Sequence, residues 1–291
     1  MQRTTTRAVW YTLAAVMLVL AACGGGPAPE STPEGQYKFA KEAIAGKNYV
    51  KALDTLEQVI KRAPDSDLAV RANLTRAALL AGMADAYKRM AEAYMDGYRS
   101  PSARAYSSQM RKMAVDYYGM GRVRSVEYVE GFDRTAKHIQ AGKALTFDLP
   151  MPQTMGQEAA AMEQIRHGKM AGDEERVKIE YEEVEAGLAR AIAQMLGAGE
   201  DLNAARARLQ GGSATVNPTG MLVAAAERMC LLSAIFHPRA LDDQRLDRAF
   251  HERALTTVDT AMERLKKEPD KKLEDSAKKL KKECEKAMKG G

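Results

Sequence analysis

From about residue 33 to residue 288 apolar residues recur at three- and four-residue spacings, and that spacing predicts helices almost throughout. Pro, Gly and capping residues mark the breaks. A first pair of helices covers about 34–46 and 48–63 and is stopped by Pro64, after which Asp65-Ser66-Asp67 supplies an N-cap. The next helix runs from Asp67 to about Gly82, and its pattern carries on to Tyr98 if the glycine is tolerated. Ser100 and Pro101 suit the cap and first position of another, which extends to about Ala141 with Gly119 and Gly121 as a kink or break. Gly142 to Met155 is the longest irregular stretch of the body. Helical spacing resumes over about 154–170, 173–197 and 200–210, and after a loop from Gly211 to Pro218 over 219–236, 239–267 and 270–288. No alternating run is long enough for a strand, Phe147-Asp148-Leu149 being the nearest. The expected fold class is all-α.

Composition agrees: Ala, Leu, Met, Glu, Lys and Arg dominate, hydrophobic residues make up 45% and charged residues 29%, and these are good helix formers. The first residues follow another pattern. Arg3 and Arg7 precede an apolar stretch, Ala8 to Leu20, that is short for a membrane span and suits the h-region of a signal peptide. It ends in Leu20-Ala21-Ala22-Cys23, which resembles the lipobox of bacterial lipoproteins. The resemblance implies that residues 1–22 are removed and that Cys23 becomes the acylated N-terminus. An ordinary signal peptide with an incidental cysteine is the competing reading, and the next residues weigh against it. Gly24-Gly25-Gly26-Pro27-Ala28-Pro29-Glu30-Ser31-Thr32-Pro33 cannot bury itself and reads as a tether between anchor and body. Two or three acyl chains hold a protein firmly where one does not. Gly24 after the cysteine, in place of Asp, is similar to outer-membrane lipoproteins of Gram-negative cells.

The first helix pair carries a second resemblance. Gly46 to Pro64 is similar to the back half of a tetratricopeptide (TPR) repeat, with Tyr49 in the turn, Ala52 at the small position and Pro64 twelve residues on; Ala40 fits the small position of the preceding helix. The match covers residues 34–66. A step of 34 from Ala52 reaches Ala86, where no Tyr marks the turn, so later hairpins are expected to stack as irregular pairs. The domain reading is therefore a signal (1–22), a lipidated tether (23–33), a TPR-like hairpin (34–66), a helical body (67–267) and a Lys-rich C-terminal helix (268–291), arranged as an irregular hairpin array or α-solenoid. In organisation the chain also resembles the TatT lipoprotein family that accompanies TRAP transporters.

Charge and chemistry narrow the function. The chain carries +5, and +3 once Arg3 and Arg7 have left with the signal; ten Lys against six acidic residues over 266–291 account for that excess, whereas a nucleic-acid role would need a basic face on the body, so no nucleic-acid partner is expected. The tail keeps apolar residues at Leu273, Ala277, Leu280, Cys284 and Met288, the spacing of a helix that caps the body. Cys230, in an apolar helix, and Cys284 suit either a disulfide or a core residue and a free thiol. Seven of eleven Tyr fall between Tyr87 and Tyr128. Tyr87 and Tyr98, with Tyr94, share one helix face, and Tyr106, Tyr117 and Tyr128 recur every eleven residues on another. Paired antiparallel, these faces line a groove for a peptide or amphipathic small molecule, with Arg104, Arg111, Arg122 and Arg124 nearby for a carboxylate. The same spacing suits rings at the edge of a packed helix interface. Glu180, Glu182, Glu183 and Glu185 read as a solvated face. His138, His167, His237 and His251 form no metal or catalytic signature, although Glu163 and His167 share a face, and no nucleophile elbow, phosphate loop or dinucleotide motif occurs. The expectation is a non-enzyme without cofactor or metal: a scaffold held in the outer membrane by acylated Cys23 that binds another envelope protein or peptide. The alternative is a ligand-binding lipoprotein serving a transporter through the Tyr groove. Cys23→Ser is expected to move the protein from the membrane to the soluble fraction on cell fractionation; retention in the membrane without a partner would remove the anchor reading.

Overall fold

The computed structural model describes residues 31–153, 160–199, 201–236 and 243–290, so Cys23 with nearly all of the tether, and His237-Pro238, lie outside the described residues. Short polar side chains begin the helices where the sequence places them. Thr32 accepts from Gly35 N (3.1 Å) ahead of α1 (Pro33–Ala45), and Asn48 from Lys51 N ahead of α2 (Tyr49–Arg62). Ser66 caps α3 (Asp67–Arg99) through Ala69 N (3.1 Å), and Asn217 caps α8 (Pro218–Ser233) through Gly220 N (2.9 Å). The others are α4 (Ser107–Gln140), α5 (Ala160–Arg166), α6 (Asp173–Met195), α7 (Leu202–Arg208), α9 (Gln244–Leu265) and α10 (Lys271–Gly290). The fold is all-α, with one two-residue strand pair among the described residues.

The long helix α3 is the axis of the body. It buries 21 of its 33 residues, which no single amphipathic stripe accomplishes, because α4, α6, α5 and the α1–α2 hairpin surround it. Small residues set these approaches. A Cβ added to Gly82 would lie 2.6 Å from Leu188 Cα, and one added to Gly187 would lie 2.3 Å from the Gly82 carbonyl oxygen, so α3 and α6 cross backbone to backbone. A Cβ on Gly97 would meet the Ile165 carbonyl of α5 at 2.1 Å. This is why α3 runs straight through Gly82: the glycine serves packing, and tertiary contact overrides its poor helix propensity of about 1 kcal/mol.

Three boundaries differ from the pattern in the sequence. Ser100 and Pro101 open a single 3-10 turn (Pro101–Ala103), and α4 starts only at Ser107. The turn is docked against the end of α5, where Ser100 Oγ donates to the His167 carbonyl (3.3 Å) and Gly168 sits tightly over Ala103. α4 passes unbroken through Gly119 and Gly121, the latter packed beneath Tyr87 and Ile235. The irregular stretch holds a short strand (β1, Thr146–Phe147) paired antiparallel with β2 (Ala214–Thr215). Leu145, Phe147 and Leu149 alternate into the core, while Asp148 faces Tyr37, Lys41 and Arg71 of the first helices and clips the loop to them.

In the α1–α2 hairpin Ala40 and Ala52 are fully buried and Tyr49 packs edge-on to Tyr181 of α6. The tail is part of the body: Ala277, Leu280 and Cys284 of α10 are buried against α8 and α9. Pro218–Phe236 is long and apolar enough by composition to cross a membrane, but about two thirds of this stretch is buried inside the body. Gly187→Ala is expected to destabilise the protein by about 3 kcal/mol, lowering its melting temperature by roughly 5–10 °C, because the new methyl meets backbone that cannot step aside. Gly119→Ala has open space and is expected to be neutral or stabilising by up to about 1 kcal/mol. Calorimetry on the two variants checks the contrast.

Candidate functional site

One face of the otherwise apolar α3 is charged. Asp85, Lys88, Arg89 and Glu92 recur at three- and four-residue spacing and so point the same way. Opposite them stand Arg190 and Gln194 of α6, Glu227, Arg228 and Leu231 of α8, and Arg166 of α5; together they line a cleft of about 480 Å³. Asp85 anchors its floor. Arg190 donates to Asp85 Oδ2 through Nε (2.9 Å) and Nη2 (2.7 Å), Arg89 Nε lies 3.5 Å from the same oxygen, and Arg228 Nη1 lies 4.0 Å from Oδ1. Arg228, 6% exposed, also donates to Gln194 Oε1 (2.9 Å), whose amide donates to Glu227 Oε2 (2.7 Å).

The electrostatics follow from this crowding. Burial by itself raises the Asp85 carboxyl, but Arg190, Arg228 and Arg89 outweigh it and hold it below the usual carboxylate range. A carboxylate so held is a poor general base near neutral pH. Five cationic side chains and three acidic ones line the cleft, and Asp96 and Glu163 stand beside Arg166 at its edge. Guanidinium groups held by a partly buried carboxylate keep a fixed fork of donors, the arrangement that receives a carboxylate or phosphate. Leu231, half exposed at the edge, adds apolar contact.

The tyrosines occupy different ground from the expected groove. Tyr87 and Tyr94 of α3 do meet Tyr117 of α4, with centroids 6.1 and 5.8 Å apart, but as a stacked core that α6 covers. Tyr87 donates to Glu180 Oε1 (3.3 Å), and burial lifts both the Tyr87 phenol and the Glu180 carboxyl above their ordinary values. Tyr128 stacks on Phe132 (6.4 Å), and burial pushes its phenol up to about 12. Tyr98 and Tyr106 are exposed where α3 ends and α4 begins, and Arg104 and Arg111 are exposed along the same connection. Arg122 pairs with Asp243 (3.1 Å) and Arg124 with Glu127 (2.6 Å). The named residues thus line no common groove: the faces that bring Tyr87, Tyr94 and Tyr117 together also close upon them, while Tyr98, Tyr106, Arg104 and Arg111 stay exposed.

The acidic run of α6 is not one solvated face either. Glu183 is fully buried, Glu180 lies against the tyrosines and Glu185 accepts from Lys47 Nζ (3.1 Å). Glu163 and His167 form an exposed pair at 2.9 Å. A Ser-His-Asp arrangement that the sequence spacing hides joins Ser233, His251 and Asp247: Ser233 Oγ is 3.4 Å from His251 Nε2, and His251 Nδ1 is 3.3 Å from Asp247 Oδ1. Ser233 is 3% exposed and its hydroxyl donates to the Cys230 carbonyl (2.7 Å), which directs the proton away from the imidazole and shuts out a substrate. Among the described residues no group of three or more His, Cys, Asp or Glu side chains is placed to hold a metal ion. No known family, curated protein or solved structure matches this chain.

The cleft was within reach of the sequence only as the stripe Asp85-Lys88-Arg89-Glu92; its partners lie some hundred residues on. The Asp85 ion pairs contribute stability above the carboxyl's ordinary value of about 3.9 and lose it as pH falls through the depressed folded value. Asp85→Asn is expected to flatten that acid limb in pH-dependent denaturation, and Asp85→Ala, which strands buried guanidinium charge, to cost about 3–5 kcal/mol.

Proposed function

We propose that the protein is a non-catalytic, lipid-anchored binding scaffold of the bacterial outer membrane. Its α3–α6–α8 cleft receives a carboxylate-bearing segment of another envelope protein. The guanidinium groups of Arg190, Arg228 and Arg89 gathered on the partly buried Asp85 in a cleft of about 480 Å³ carry this reading. The volume suits one or a few side chains of a peptide, and the exposed leucine beside the arginines suits an acidic segment with an apolar flank. The resemblance of Leu20-Ala21-Ala22-Cys23 to a lipobox supplies the anchor, the following tether gives reach, and the TPR-like hairpin fits a helical interaction module. A transporter-linked ligand reading loses the Tyr groove it was built on, since Tyr87, Tyr94, Tyr117 and Tyr128 are core.

Crosslinking and pull-down of the lipidated protein from envelope tests the proposal. Lys88→Glu with Arg166→Glu is expected to reduce capture of the partner at least about tenfold, with capture by the parent protein falling as salt rises. Arg104→Glu, on the exposed α3–α4 connection, is expected to leave capture unchanged. Equal capture by the cleft variant, with its helical circular-dichroism spectrum intact, would rule the cleft out.

A further inference from the structure

Cys230 of α8 and Cys284 of α10 are 54 residues apart in sequence and their Sγ atoms are 2.9 Å apart. Two sulfurs this close need move less than about 1 Å to reach a disulfide's length of about 2.05 Å. Cys284 is buried and Cys230 is partly exposed, so an external reagent meets Cys230 first. The cysteines join elements that otherwise meet along one apolar stripe: Ala277, Leu280 and Cys284 are the buried part of a helix whose other positions are mostly Lys and Glu. α10 also walls a second groove of about 300 Å³, lined by Val223, Leu273 and Leu280. That groove shares Gln194, Gly199 and Glu227 with the charged cleft, so the seat of α10 shapes the cleft's margin.

We propose that Cys230 and Cys284 are a disulfide-forming pair that locks the C-terminal helix onto α8 and fixes that wall. The oxidant is a disulfide-bearing thiol oxidoreductase of an oxidising compartment. The Cys230 thiolate attacks the oxidant's disulfide, forming a mixed disulfide and releasing one thiolate. The Cys284 thiolate then attacks the Cys230 sulfur and displaces the second. Two thiols lose two protons and two electrons, and the oxidant's disulfide becomes a dithiol. The 2.9 Å separation places Cys284 Sγ beside the mixed disulfide on Cys230 for the closing attack. The compartment rests on the lipoprotein reading; the pairing rests on geometry alone.

Two measurements separate them. Full-length purified protein treated with oxidised glutathione is expected to lose two hydrogens by mass and to resist maleimide labelling at both cysteines. Limited trypsin should then leave α10 peptides attached to α8 on a non-reducing gel and release them on a reducing one. Reduction should lower the melting temperature by roughly 5–10 °C, a shift that Cys230→Ser with Cys284→Ser abolishes. Two freely labelled cysteines after oxidation would overturn the pairing, and an unchanged melting temperature on reduction would overturn the lock. Protein taken from the envelope under alkylating conditions should already be closed. If it is a dithiol there yet closes with glutathione, the pairing stands and the oxidising-compartment reading fails.

Discussion

The crossing of α3 and α6 admits no side chain. Gly82 and Gly187 face each other with so little room that a methyl on either would fall inside backbone atoms of the other helix. Close crossing brings dispersion contacts along both helices and costs the backbone freedom of two mid-helix glycines. It also decides the chemistry nearby. Asp85 and Arg190 each lie three residues beyond their glycine, and the approach brings their side chains to 2.7 Å. The charged floor of the cleft and the tightest packing of the core are therefore one arrangement. A helix pair held apart by leucines would leave those two groups separately hydrated.

Burial on both sides of that crossing has opposite electrostatic results. Among the tyrosines, Glu180 is surrounded mostly by rings and its carboxyl is raised. In the cleft, Asp85 is also sheltered, yet three guanidinium groups converge on it and its carboxyl is lowered. Proximity of opposite charge wins over desolvation in one place and loses in the other. The difference makes one region a core and the other a charged cleft. Aromatic stacking of Tyr87, Tyr94 and Tyr117 adds about 0.5–1.5 kcal/mol per pair beyond area burial. The cleft keeps polar groups aligned along its floor.

Much of the helical architecture was legible. Thr32-Pro33, Ser66 and Asn217-Pro218 announce helix starts through local hydrogen bonds, which need no distant partner. The stripe of α10 was readable as well, because a terminal helix that buries one face shows a clean period. α3 was harder. Buried on most sides, it has a weak period, and Gly82 within it looks like a stop. The short strand was missed although Leu145, Phe147 and Leu149 alternate, since two residues of pairing fall below what spacing resolves. The tyrosine spacing grouped Tyr87 with Tyr94 and Tyr117 with Tyr128, but it put Tyr106 on a helix that starts only at Ser107 and left open whether the faces would gape or close.

The sequence by itself determined that helices dominate the fold and, at the capped starts, where they begin. It also carried the lipobox-like Leu20-Ala21-Ala22-Cys23 and its tether. These are local properties, set by capping, propensity and period within a few residues. Only the tertiary structure decided which polar groups became core and which became surface. Glu183 went inside, Tyr98 and Tyr106 stayed out, Asp85 met arginines from two other helices, and Cys230 came within 2.9 Å of Cys284. Those outcomes depend on how closely helices approach, and that distance is set by facing residues a hundred positions apart.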